Sequence, residues 1–153
     1  MAVQQTIKVS APCAYNHNGK KCTRITSLTH PYCARHTREV LGVEIRSSQI
    51  KVAGLGLWAI RDFPKGYHLF NYEGERLSKR EYNERYAEEA LGVYGIELNY
   101  RTIIDARRTD AGVARFICTY HGSGKKPNVE YQSNKNVIEM ITTRAVAAGE
   151  ELL

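Results

Sequence analysis

The chain has 153 residues, 42% hydrophobic and 25% charged, with a formal charge of +6. That length supports one ordinary core and a small satellite, not two full domains. No run of about 18 apolar residues offers a membrane span, and Met1–Ser10 lacks the basic-then-apolar pattern of a secretory leader, so a soluble intracellular protein, nuclear or cytoplasmic, is expected.

Charge is concentrated at the front. Up to Arg46, Lys8, Lys20, Lys21, Arg24, Arg35, Arg38 and Arg46 face only Glu39 and Glu44, so most of the net charge lies in the first third. A basic arm of this kind favours polyanions or acidic surfaces, which makes nucleic acid a candidate partner; a solvated face on a small module is the equal alternative.

Residues 1–40 form a candidate zinc-binding module. Cys13 and Cys22, then Cys33 and His36 in a Cys-x-x-His pair, present three thiols and an imidazole, the donor set of structural tetrahedral zinc. Gly19 permits the reversal that returns Cys22 toward Cys13. Leu28, Pro31 and Tyr32 offer little apolar surface between the pairs, so metal binding is expected to supply the folding free energy. His17 and His30 are alternative fourth ligands without paired spacing, and both read more simply as surface histidines.

From Val43 the chain reads as short strands separated by turns, with the boundary between modules at residues 37–43. Leu57–Ile60 and Tyr67–Tyr72 are strand-like, and Asp62-Phe63-Pro64-Lys65-Gly66 between them predicts a hairpin. Ser78-Lys-Arg-Glu81 is a capping box opening a helix that runs through Glu89 and stops near Leu91-Gly92. Tyr94–Tyr100 with Thr102–Ala106 predicts a second strand pair, and Asn128–Tyr131 with Asn136–Thr142 a third, before a turn at Ala148-Gly149-Glu150. The fold class is therefore mainly β, small curled sheets with one or two short helices.

Six blocks then fall in a telling order. They are Val52-Ala-Gly54-Leu55-Gly56-Leu-Trp58-Ala59, Tyr72-Glu-Gly74-Glu75, Ile104-Asp105-Ala106, Gly112-Val-Ala-Arg115-Phe116-Ile117, Pro127-Asn128-Val129 and Gly149-Glu150-Glu151-Leu152. Together they resemble the SET-domain protein-lysine methyltransferase family over residues 43–153. The resemblance implies a β-clip fold with a knot-like crossing of C-terminal segments. It also implies S-adenosylmethionine on one face and a substrate lysine, most naturally on a histone tail, reaching it through a channel from the other.

The same likeness assigns roles. Gly54, Leu55 and Gly56 let backbone approach the cofactor, and Trp58 lines its pocket or belongs to the core. Tyr72 sets an aromatic wall and a hydroxyl beside the transferred methyl. Arg115, Phe116, Ile117 and Cys118 flank the cofactor, with Arg115 equally readable as an ion-pair partner of Asp105. Two departures bear on activity. Cys118-Thr119 stands where the family has Asn-His or Asn-Asp, and a thiol is a weak anchor. Family members also continue after Gly-Glu-Glu-Leu to a terminal tyrosine, so the domain reads as lacking its C-terminal end and its activity as weak. A noncatalytic SET-like module contacting chromatin or nucleic acid is the alternative.

Overall fold

The computed structural model describes residues 6–51, 53–87 and 93–153. At the front, β1 (Ala11–Pro12) pairs antiparallel with β4 (Ile25–Thr26), enclosing a hairpin of β2 (Asn16–His17) and β3 (Lys20–Lys21). Asn18 and Gly19 make its two-residue turn, with φ of 51° and 79°. Asn-Gly is the preferred pair for that left-handed geometry. A short helix, α1 (Ala34–His36), then runs into a wider π-helical turn over Thr37–Leu41.

In the body, β5 (Val43–Ser47) pairs antiparallel with β6 (Leu55–Ala59) from Val43↔Ala59 to Ser47↔Leu55. The hairpin expected between residues 57–60 and 67–72 does not form. The next strand, β7 (His68–Tyr72), pairs instead with β12 (Val137–Thr142), placing Ile138 opposite Tyr72. The intervening turn is zipped to a distant segment: Phe63 and Val146 exchange backbone bonds of 2.8 and 2.9 Å, and the Gly66 N–H donates to the Thr142 carbonyl at 2.8 Å. Proline and glycine marked the reversal correctly, while long-range pairing chose the partners.

The other two strand pairs stand. A sheet of order β8–β10–β9 joins β8 (Glu75–Ser78), β9 (Gly95–Glu97) and β10 (Thr102–Asp105), and β11 (Val129–Asn134) forms a six-rung ladder with β12. Between β8 and β9, α2 (Lys79–Arg85) opens on the predicted capping box: Ser78 Oγ accepts from Glu81 N at 3.1 Å, and the Glu81 carboxylate accepts from Ser78 N at 2.9 Å. The helix is capped at Tyr86 rather than continuing through Glu89. The proposed stop at Leu91-Gly92, like Val52 of the glycine block, lies outside the described residues.

The C-terminal segment provides the expected crossing. It runs between β6 and the residues entering β11. On one side Leu152 N donates to Leu57 O at 2.8 Å and Glu150 O accepts from Ala59 N at 2.8 Å. On the other, Leu153 O accepts from both Asn128 N and Val129 N, while the Asn128 side chain donates to Glu151 O and accepts from Leu153 N. Leu57, Ile104, Ile138, Val146 and Leu152, drawn from separate elements, are all but fully buried in one core. Each such side chain contributes about 1.5–3 kcal/mol.

Candidate functional site

The four donors picked from spacing come together. Cys13, Cys22, Cys33 and His36 place one ligand atom each within 4.8 Å of one another. The Cys22 and Cys33 sulfurs are 4.0 Å apart, and His36 Nδ1 lies 3.6 Å from Cys13 Sγ and 3.2 Å from Cys33 Sγ. A tetrahedral zinc ion with its usual bond lengths sets sulfur–sulfur edges of about 3.8 Å and sulfur–nitrogen edges of about 3.6 Å, so the group can hold one. An ion held by all four donors would keep no open coordination position, the pattern of structural zinc sites. Burial raises the Cys13 thiol pKa, but the Cys33 and Tyr15 backbone N–H groups and the His36 side chain outweigh it and bring it down to about 7, favouring the ligating thiolate. Tyr15 stacks on the His36 ring at 3.8 Å, and Glu39 lies 3.9 Å from its other nitrogen, steadying the imidazole.

Of the two alternative ligands, His17 is exposed, as expected. His30 is not a surface residue: it is 4% exposed, with Nδ1 2.9 Å from Thr26 Oγ1 and Nε2 against the Val9 carbonyl.

A cavity of about 990 Å³ opens in the body. Leu55, Tyr72, Arg115, Phe116, Ile117 and Cys118, six of the nine residues expected at the cofactor or the methyl, border it. Tyr72 reaches it from the end of β7, 6% exposed, with its hydroxyl donating to the Tyr94 carbonyl at 2.7 Å. Burial, and next the charge of Asp105, push its pKa far above the ordinary phenol value, so Tyr72 stays neutral. Residues 113–116 form a tight helical turn that buries Arg115, whose guanidinium stacks 4.2 Å from the Tyr94 ring and 4.8 Å from the Phe116 ring. The Cys118 thiol donates weakly to the Leu55 carbonyl at 3.4 Å, and burial raises its pKa.

Other expected site residues lie elsewhere. Gly54, with φ of 76°, precedes Leu55 without bordering the cavity itself. Gly56 is buried and faces the Glu151 carboxylate, which occupies the space a side chain at 56 would take. That carboxylate is held by Ser48 Oγ at 2.5 Å and by the Gln49 N–H at 2.9 Å. Trp58 lies beneath the Arg46 guanidinium at 3.9 Å and borders a separate 320 Å³ recess with Lys125, Lys126 and Arg144.

Asp105 is not the partner of Arg115. It is fully buried, accepting from Arg85 at 3.0 Å, from the Tyr86 hydroxyl at 2.6 Å and from the Arg107 N–H at 3.2 Å. Arg115 donates instead to the Ala106 carbonyl at 2.8 Å and to Thr6 Oγ1 at 3.0 Å. Glu75, the acid of the Tyr-x-Gly-Glu block, also pairs with Arg85 and with Arg107. This cluster and Glu151 were missed in the sequence; each pairs residues far apart in the chain. The cavity walls contributed by Thr6, Leu28 and Tyr120 were also unassigned.

Comparison with known proteins agrees with this architecture. The SET domain profile matches residues 54–153. Histone-lysine N-methyltransferase 2D of Homo sapiens and that of Mus musculus are each 30% identical over 105 residues, covering 67% of this chain and only 2% of their own length. The crystal structure of an active polycomb repressive complex 2 in the basal state superposes with a TM-score of 0.60 at 24% identity, over 72% of this chain and 14% of that one. A polycomb repressive complex 2 in an autoinhibited conformation bound to S-adenosylmethionine gives 0.62 at 23% identity, with the same coverage. Among the described residues no helix is long and apolar enough to cross a membrane. With the profile covering most of the chain and the terminal segment threaded between β6 and β11, the protein belongs to the SET domain family.

Proposed function

We propose that the chain is an S-adenosylmethionine-dependent protein-lysine N-methyltransferase acting on a basic tail of the histone class, and that it works in the nucleus. One observation carries this reading: Leu55 of the Gly-Leu-Gly loop, Tyr72 and residues 114–118 border a single cavity. Its 990 Å³ lies at the upper end of the range of about 300–1,000 Å³ typical of ligand sites. Its lining suits the cofactor. Leu55, Phe116 and Ile117 offer apolar surface to a purine, while the Tyr72 ring suits a sulfonium. S-adenosylmethionine, when bound, supplies an electrophilic methyl group for transfer to a neutral amine.

The chain's own residues do the rest. Tyr72 is no base, because its proton is held by the Tyr94 carbonyl and its pKa is raised. Its oxygen retains lone pairs that can accept a hydrogen bond from the incoming amine. The apolar lining of Leu55, Ile117 and Met140 disfavours a charged ammonium, which favours loss of the lysine proton before reaction. Positioning supplies most of the acceleration, as orientation of two reactants generally can.

Calorimetric titration with S-adenosylmethionine and transfer of labelled methyl to histone peptides test the proposal. Binding with transfer is expected; neither occurring would refute it. The Cys118 thiol, spent on a weak bond to Leu55, favours a second reading, a noncatalytic module. That reading predicts no cofactor binding, with salt-sensitive association of nucleic acid through the exposed Lys8, Lys20, Lys21 and Arg24.

A further inference from the structure

One wall of the cavity comes from outside the matched SET segment. Thr6, Lys8 and Leu28 border it, yet all three precede residue 54. A short ladder fixes this wall to the body. Ile7 N donates to Arg107 O at 2.8 Å, Thr109 N donates to Ile7 O at 2.9 Å, and Val9 N donates to Thr109 Oγ1 at 2.7 Å. At the rim, Arg115 donates to Thr6 Oγ1 at 3.0 Å, and the Thr6 hydroxyl donates to the Tyr94 hydroxyl at 3.1 Å.

The ladder is tied to the Cys-Cys-Cys-His group through one buried side chain. His30 Nε2 faces the Val9 carbonyl, and its Nδ1 faces Thr26 Oγ1. A carbonyl can only accept, so Nε2 carries a proton, while the Thr26 hydroxyl that the ring faces donates to the Ala11 carbonyl at 3.2 Å. Val9 stands just before Cys13 and His30 just before Cys33, so the two thiols bracket the bond. Cys13 N donates to Arg24 O and Ala14 N to Pro31 O, completing the brace. Two-residue ladders bury too little to fix such a loop alone, and an ion held by the four donors would close it.

We propose that His30 is a positioning residue: with metal bound, its bond to Val9 holds Thr6–Val9 in place as a wall of the chamber where cofactor and lysine meet. The module is then part of the reaction chamber rather than a separate binding arm. The chamber's use rests on the methyltransferase reading; the coupling of metal, His30 and wall does not.

Amide hydrogen exchange on the full chain tests the coupling, with zinc content measured for the wild type, for His30→Ala and for His30→Gln. Zinc-loaded His30→Ala should exchange the Ile7, Val9 and Thr109 amides about tenfold faster while the β11–β12 ladder stays protected. His30→Gln, whose amide can donate to Val9, should recover most of the protection. S-adenosylmethionine titrated into the same proteins should bind about tenfold more weakly to the alanine variant and near normally to the glutamine variant. Unchanged exchange at the three amides in zinc-loaded His30→Ala overturns the proposal. If the alanine variant loses zinc or ladder protection, chelated wild type decides: faster exchange at those amides supports the coupling, and unchanged exchange overturns it. Zinc-loaded wild type that binds no S-adenosylmethionine would refute the methyltransferase reading, leaving the exchange data to decide the coupling.

Discussion

Replacing Gly56 by alanine separates two explanations of the glycine block. A methyl group at 56 would fall inside van der Waals contact of Glu151 Oε1 and lie 3.1 Å from both Glu151 Cδ and Ser48 Cβ. Glu151 cannot easily yield, being 2% exposed and pinned by Ser48 and Gln49. Overpacking of this kind costs about 1–3 kcal/mol. Displacing the carboxylate also removes hydrogen bonds to a charged acceptor, each about 1.5–3 kcal/mol. If one of the two survives, the sum is about 2.5–6 kcal/mol, which at this chain length lowers Tm by roughly 5–24 °C. Scanning calorimetry reads the shift. In a Glu151→Ala background the added methyl should cost little, giving a coupling of more than about 2 kcal/mol in a double-mutant cycle. Unchanged Tm with weakened S-adenosylmethionine binding would refute this, because the space at 56 would then serve the ligand.

Removing the carboxylate of Asp105 leaves the buried Tyr86 hydroxyl without its acceptor, while Arg85 keeps Glu75, so Asp105→Ala should lose about 1–3 kcal/mol in urea unfolding; a loss well below that would mean water solvates the cluster. Hydrogen bonding from Arg85 and the charges of Arg85 and Arg107 hold the Glu75 carboxyl below its ordinary pKa. Because the folded value is depressed, this contribution is complete above the ordinary glutamate pKa and disappears as pH falls through the folded one. Glu75→Gln should therefore flatten the acid limb of a Tm–pH curve between about pH 5 and 3, and an unaltered limb would place the loss elsewhere. Tyr72→Phe deletes one hydrogen bond to Tyr94, worth about 1 kcal/mol of stability. Methyl transfer should fall by more than that loss explains; equal effects would leave Tyr72 a packing residue.

Legibility followed the range of the interactions. The β9–β10 and β11–β12 pairs were readable because each strand meets its neighbour in sequence, and the Ser78 cap because its two bonds span three residues. The metal group was readable because thiol and imidazole are few and their spacing is chemically restrictive. By contrast, β6 and β7 carry good strand patterns, yet periodicity says nothing about which edge each one finds; β5, β12 and the C-terminal residues compete for them. Arg115 showed the same limit. A buried arginine needs acceptors, but backbone carbonyls and Thr6 supplied them where one of the two readings had placed the Asp105 carboxylate. The burial of Glu151 against Gly56 was not readable, because its hydrogen-bond partners, Ser48 and Gln49, lie about a hundred residues away in the chain.

The threading of Glu150–Leu153 has a consequence for biosynthesis. Strand β6 is made early, but the backbone groups of Leu57 and Ala59 find their partners only when Leu152 and Glu150 arrive, and Asn128 waits for Glu151 and Leu153. A nascent polypeptide halted on the ribosome before residue 150 therefore holds an open seam through its centre. Closure waits for residues 150–153 to emerge and is of high contact order, a slow event during which aliphatic surface is exposed to chaperones.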